Sequence, residues 1–123
     1  MAVSGDPIDG DALVLAAAKA SVSGERLPEL VDRAQEYLAG RRADYGRRYE
    51  RAHETDDRVV FFVEEGHWAE LGEELDLDRR EWTALRRAHE EHLKRLGSDL
   101  DRREEFESAL ELREAVVIEK MKD

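Results

Sequence analysis

No cysteine occurs in the 123 residues, so neither a disulfide framework nor a thiolate-ligated metal centre can hold this chain together. Proline is nearly absent: Pro7 and Pro28 are the only two, and neither interrupts a periodic segment, so long helices are permitted almost everywhere. The longest apolar run, Ala12 to Ala18, falls far short of the roughly 20 residues a membrane helix needs. Asp6, Asp9 and Asp11 stand before it, where a signal peptide wants basic residues. The expectation is a cytoplasmic protein with no membrane contact. Lysine is also scarce, with Lys19, Lys94, Lys120 and Lys122 the only four among 20 basic residues.

What is present is charge, at 41% of residues, with 31 acids setting the net value at -11. A surface of that charge repels itself in dilute buffer, whereas molar salt shortens the Debye length to roughly 3 Å and removes most of the penalty. In its lysine scarcity and acidic excess the whole chain resembles the small acidic proteins of halophilic archaea. That resemblance implies a saline habitat, with salt cations on the acidic surface, and no activity. Apolar residues make up 41%, enough for one domain over residues 1–123 with its own core.

The patterning predicts an all-α fold of about five helices. Asp9 through Ala20 forms a first short helix closed by Ser21, Ser23 and Gly24, with residues 1–24 as a loosely docked N-terminal arm. Leu27, Leu30, Val31, Ala34, Leu38, Tyr45, Tyr49 and Ala52 keep helical spacing, which predicts one long helix over about 27–53 with Pro28 in its first turn. At 26 residues it would be about 39 Å long, enough to span the domain or project beyond it. Projection would make Tyr45 and Tyr49 a self-association surface and the protein a homodimer; packing along one side is the alternative. Val59 to Val63 has strand character, with Val116 to Ile118 as its only partner. The later segment also continues the row Phe106, Leu110, Arg113, Val117, Met121, which favours helix there and leaves the strand pair as the alternative. Trp68 to Leu75 reads as a short helix, Asp78 as the N-cap of a helix to Leu96 with Gly97 its C-cap, and Ser98 to Asp101 as the lead-in to the last helix.

The stretch Leu71 to Arg87, LGEELDLDRREWTALRR, carries the most information. Leu71, Gly72, Leu75, Asp76, Leu77, Trp82 and Leu85 stand where two short crossing helices need a small contact residue, a tight turn and apolar anchors. In this the segment resembles the helix-turn-helix motif of DNA-binding proteins. It departs at Asp76, where the motif prefers glycine for a positive φ, and at Trp82, bulkier than the usual aliphatic anchor. The resemblance implies that Arg79, Arg80, Thr83 and Arg87 face the major groove while Trp82 and Leu85 pack inward.

Charge is segregated along the chain. Arg41 to Arg51 and Arg79 to Arg95 each sum to +3, leaving about -17 elsewhere. Such segments either meet phosphate or pair with acidic helices of the same fold or a partner. The histidines give no metal centre: His89 and His92 are three apart rather than the four of a zinc-protease helix, and they align with Leu85 and Leu96 as core positions. The pairs Glu50 with His53 and Glu64 with His67 share the Glu-x-x-His spacing of di-iron bundles, a coincidence expected where glutamate is so abundant. No phosphate loop, nucleophile elbow or Ser, His, Asp arrangement can be placed. The expectation is a non-enzymatic helical binding or assembly module without cofactor, its partner a protein or itself, with helix-turn-helix DNA binding as the alternative.

Overall fold

The computed structural model describes residues 5–120. Its elements run α1 (Gly10–Ala20), α2 (Arg26–Ala39), α3 (Arg42–Arg48), β1 (Glu50–Glu54), β2 (Arg58–Glu64), α4 (His67–Glu74), α5 (Arg79–Asp99), α6 (Arg103–Leu110) and β3 (Arg113–Glu119). The fold is therefore α/β and not all-α: among the described residues six helices accompany one antiparallel sheet in the order β1-β2-β3.

The long helix expected over 27–53 does not form. α2 stops at Ala39, α3 ends at Arg48, and Tyr49 is already extended at φ -127°, ψ 156°. The chain then enters β1, where Glu50 opposes Phe62 and Glu54 opposes Val59, with a bulge between Arg51 and His53. A helix through Ala52 would leave one edge of β2 unpaired, and those buried backbone groups need partners. The helical spacing of Tyr45, Tyr49 and Ala52 is satisfied instead by one helical turn followed by the bulged strand.

Residues 113–119 are likewise strand, with Val59 opposite Ile118 and Val63 opposite Glu114. This overturns the helix favoured for Val116 to Ile118 and realises its alternative, the pairing with Val59 to Val63. Every residue from Glu114 to Ile118 is buried, so no periodicity existed to separate strand from helix. Met121, which completed the apparent helical row, lies outside the described residues. β2 has the same character, because Phe61 and Phe62 point to opposite faces and both are covered. Phe61 meets Tyr45 of α3 at 5.9 Å between ring centroids, and Phe62 meets Phe106 of α6 at 6.1 Å.

α5 is the axis on which the helices pack. Ala12, Ala16 and Ala17 of α1 are buried, and Asp9 caps α1 while its backbone amide donates to His92 Nδ1 on α5 at 3.0 Å. α5 runs past the expected C-cap, for Gly97 sits inside its last turn. A Cβ there would lie 3.0 Å from Arg103 Cα, so the glycine serves the close approach of α6. The outer edge of β3 is closed by side chains. Gln35 of α2 donates to the Val117 carbonyl and accepts from the Glu119 amide, at 2.7 and 2.9 Å. His89 Nδ1 accepts from the Val117 amide, and Trp68 Nε1 donates to the Ala115 carbonyl, both at 2.9 Å. An edge so occupied cannot recruit another strand.

Candidate functional site

The segment Leu71 to Arg87 folds as the end of α4, a turn and the start of α5. Asp76 takes the left-handed conformation at φ 56°, which Asp tolerates better than most residues. The Leu77 amide then donates to the Gly72 carbonyl at 2.8 Å, and the Arg33 guanidinium donates to the Leu75 carbonyl at the C-terminus of α4. Asp78 starts α5 with a capping box: its carboxylate accepts from the Glu81 amide at 2.9 Å and the Glu81 side chain accepts from the Asp78 amide at 3.0 Å. Gly72 lies directly under Trp82, where a Cβ would stand 2.7 Å from Trp82 Cγ. Trp82 is half-buried rather than fully inward, whereas Leu85 is fully buried.

This arrangement settles which face of α5 is outward. At 100° per residue, Arg79, Thr83, Arg87 and Arg80 fall within an arc of about 100°, and the buried Ala84, Ala88, His92 and Leu85 occupy the neighbouring arc. Arg79 and Arg80 are exposed, while Thr83 and Arg87 are half-buried. Among the described residues Arg79, Arg80 and Arg87 make no ion pair, and the buried Arg87 Nε has no hydrogen-bond partner. Arg33, Arg41, Arg42, Arg48 and Arg58 likewise make no ion pair, and Arg33, Arg41 and Arg58 donate to backbone carbonyls instead, whereas other arginines pair with the chain's own acids. Arg26 bridges Glu29 and Glu81, Arg95 bridges Asp9 and Asp11, and Arg86 reaches Glu90 at 3.7 Å. Glu90 follows on the same side of α5, and burial raises its carboxyl pKa against the pull of Arg86.

One feature limits how anions can approach. Glu114 of β3, 5% exposed, accepts from the Gly66 and Trp68 amides at 2.8 and 2.9 Å. The N-terminus of α4, an anion-binding position by its dipole and free amides, is already filled by the chain's own carboxylate. Neither Glu114 nor Arg33 was marked by any pattern along the sequence; each acts over more than 40 residues.

The other singled-out residues lie apart from this face. Tyr45 is buried at 6% exposure and Tyr49 half-buried; both line a cavity of about 370 Å³ together with His67. His89 and His92 are buried acceptors of backbone amides. Burial pushes His89 down to about 3 and His92, with the Arg58 charge assisting, down to about 4. Both are therefore neutral near pH 7. No described helix is long and apolar enough to cross a membrane.

The family described as a domain of unknown function (DUF8048) matches residues 6–120. No curated protein and no solved structure matches the chain.

Proposed function

The chain belongs to the DUF8048 family, and from that premise we propose that it is a non-enzymatic, cytoplasmic binding module of a salt-adapted cell. Its working surface is the outward arc of α5 and its partner is duplex DNA, met in the manner of a helix-turn-helix protein. The observation that carries this reading is the set of three arginines, Arg79, Arg80 and Arg87, aligned with Thr83 and free of intramolecular ion pairs. In a chain with 31 acids, arginines kept from internal pairing are available to an external anion. The crossing at Gly72 and the left-handed Asp76 support it further, since a small contact residue and a tight turn are what two short crossing helices need.

Arginine can reach a guanine edge with two parallel N–H donors, and Thr83 can serve a base edge or a thymine methyl. Phosphate contacts weaken steeply with salt, so in a saline cell the base-edge contacts carry more of the affinity. With α4's N-terminus held by Glu114, backbone anchoring falls to the arginines. Self-association through Tyr45 and Tyr49 is not part of the proposal, because Tyr45 is buried.

Chromatin immunoprecipitation of the tagged protein, in parallel with a variant carrying Arg79→Ser, Arg80→Ser and Arg87→Ser, tests the reading at the salt the protein experiences. Discrete enriched loci that vanish in a normally folded variant support it. Absence of enrichment from the wild type overturns the DNA partner. If a co-purifying protein is lost with the same substitutions, the arc is a protein-docking face that meets an acidic partner.

A further inference from the structure

At the junction of β2 and α4 three side chains that can ligate a metal converge. Glu64 is the last residue of β2, Gly66 turns the chain at φ 95°, and His67 and Glu70 stand one helical turn apart on α4. One ligand atom from each of Glu64, His67 and Glu70 lies within 4.8 Å of the other two. Both carboxylates are exposed, while His67 is 7% exposed. His67 Nε2 lies 2.6 Å from Tyr45 Oη, and His67 Nδ1 is buried with no hydrogen-bond partner. Buried polar atoms are nearly always satisfied, so an unpartnered nitrogen on an imidazole that has a ligand atom within reach of two carboxylates marks a place for an occupant.

We infer that Glu64, His67 and Glu70 form a mononuclear site for a first-row divalent transition metal, with Tyr45 as the positioning residue that holds the imidazole. The donor set decides the class of metal. Imidazole with carboxylate suits zinc and its neighbours, whereas magnesium and calcium take oxygen ligands. Bonds of about 2.0–2.2 Å place tetrahedral ligand atoms roughly 3.4 Å apart, so rotation of the two exposed glutamates closes the shell. For Nδ1 to ligate, Nε2 carries the proton and donates to Tyr45 Oη, the outer-shell contact that ligating histidines commonly have. Tyr45 and Tyr49 also pack edge-on against the ring, each with centroids 5.5 Å away.

The surroundings favour a cation. Glu64, Glu70 and Glu114 act on the ring against Arg48, and Glu114 is kept from ligating by the amides of Gly66 and Trp68. The cavity of about 370 Å³ beside Tyr45, lined also by Arg41, Arg48, Glu73 and Glu74, is large enough for a water as fourth ligand. The Glu-x-x-His spacing alone carried no weight. The fold adds Glu70, the tyrosine and the orphan nitrogen.

Cobalt(II) titration of the full chain in molar KCl tests this, since that salt screens diffuse attraction between cations and the acidic surface. The expected result is one equivalent bound with visible d–d absorption, displaced by zinc and not by equimolar magnesium. Glu64→Gln and Glu70→Gln, both exposed, should each weaken binding about tenfold or more, and Tyr45→Phe about tenfold. Glu73→Gln, on the same cavity wall, should leave binding unchanged, with circular dichroism confirming the fold of every variant. Absence of d–d absorption, displacement by magnesium, or equal weakening by Glu73→Gln would overturn the site.

Discussion

Gly72 and Trp82 are in contact so close that no side chain fits at position 72: a Cβ there would stand 2.7 Å from Trp82 Cγ and 3.0 Å from Trp82 Cβ. The bulk of Trp82 thus complements the glycine, with the indole covering the place where α4 crosses α5. Gly72→Ala should destabilise the protein by about 1–3 kcal/mol, because overpacking outweighs the gain of up to about 1 kcal/mol in helix propensity. In a Trp82→Leu background the same change should be neutral or stabilising. Urea unfolding of the four proteins at constant high salt measures the coupling, and a cost independent of residue 82 would show that the clash is not the cause.

Glu114 holds α4 from a distance in sequence, receiving the Gly66 and Trp68 amides on its two carboxylate oxygens. Glu114→Gln keeps the shape, removes the charge and turns an amide group toward one of the donors. A loss of about 1.5–3 kcal/mol is expected, the range for hydrogen bonds to a charged group. Slower-than-global protection changes should concentrate at the start of α4 in hydrogen exchange; uniform loss across the chain would argue against a local capping role.

His89 and His92 each accept a backbone amide through Nδ1, from Val117 and Asp9. Their folded pKa values, about 3 and about 4, lie below the unfolded value near 6.5. The unfolded chain therefore binds more protons throughout that interval. Their contribution is fully present above about pH 6.5 and is lost as pH falls toward the folded values, by up to about 1.4 kcal/mol per pH unit for each histidine. Unfolding free energies at pH 7, 6 and 5 should fall in that order. His92→Asn, which keeps an acceptor and cannot titrate, should flatten the slope; an unchanged slope would place the acid sensitivity elsewhere.

Salt should stabilise this protein. Its ion pairs, such as Arg47 with Asp44 and Arg102 with Glu105, are largely exposed and contribute little to stability. Their strengthening in dilute buffer is small against the self-repulsion of a -11 chain. Helical circular dichroism should fall on dialysis from molar to millimolar KCl. A signal constant across that range would sink the salt-adaptation reading.

The sequence by itself determined the features that depend on near neighbours. These are the start of the first short helix at Asp9 and the start of α5 at its N-cap Asp78. Each is written within a few residues, in side chains that bond the adjacent backbone, so a linear pattern can display it. The sequence also determined the charge balance and the absence of thiol chemistry. Only the tertiary structure decided that Val116 to Ile118 is strand and that the row from Leu27 to Ala52 breaks at Gly40 and Tyr49. A segment buried on both faces has no period to read, and β1 becomes a strand because β2 lies beside it. The same holds for Glu114 at α4 and for the meeting of Tyr45 with His67, 22 residues away in sequence. Contacts made by chain return leave no local mark, and they bring Tyr45 and Glu114 to the surroundings of His67.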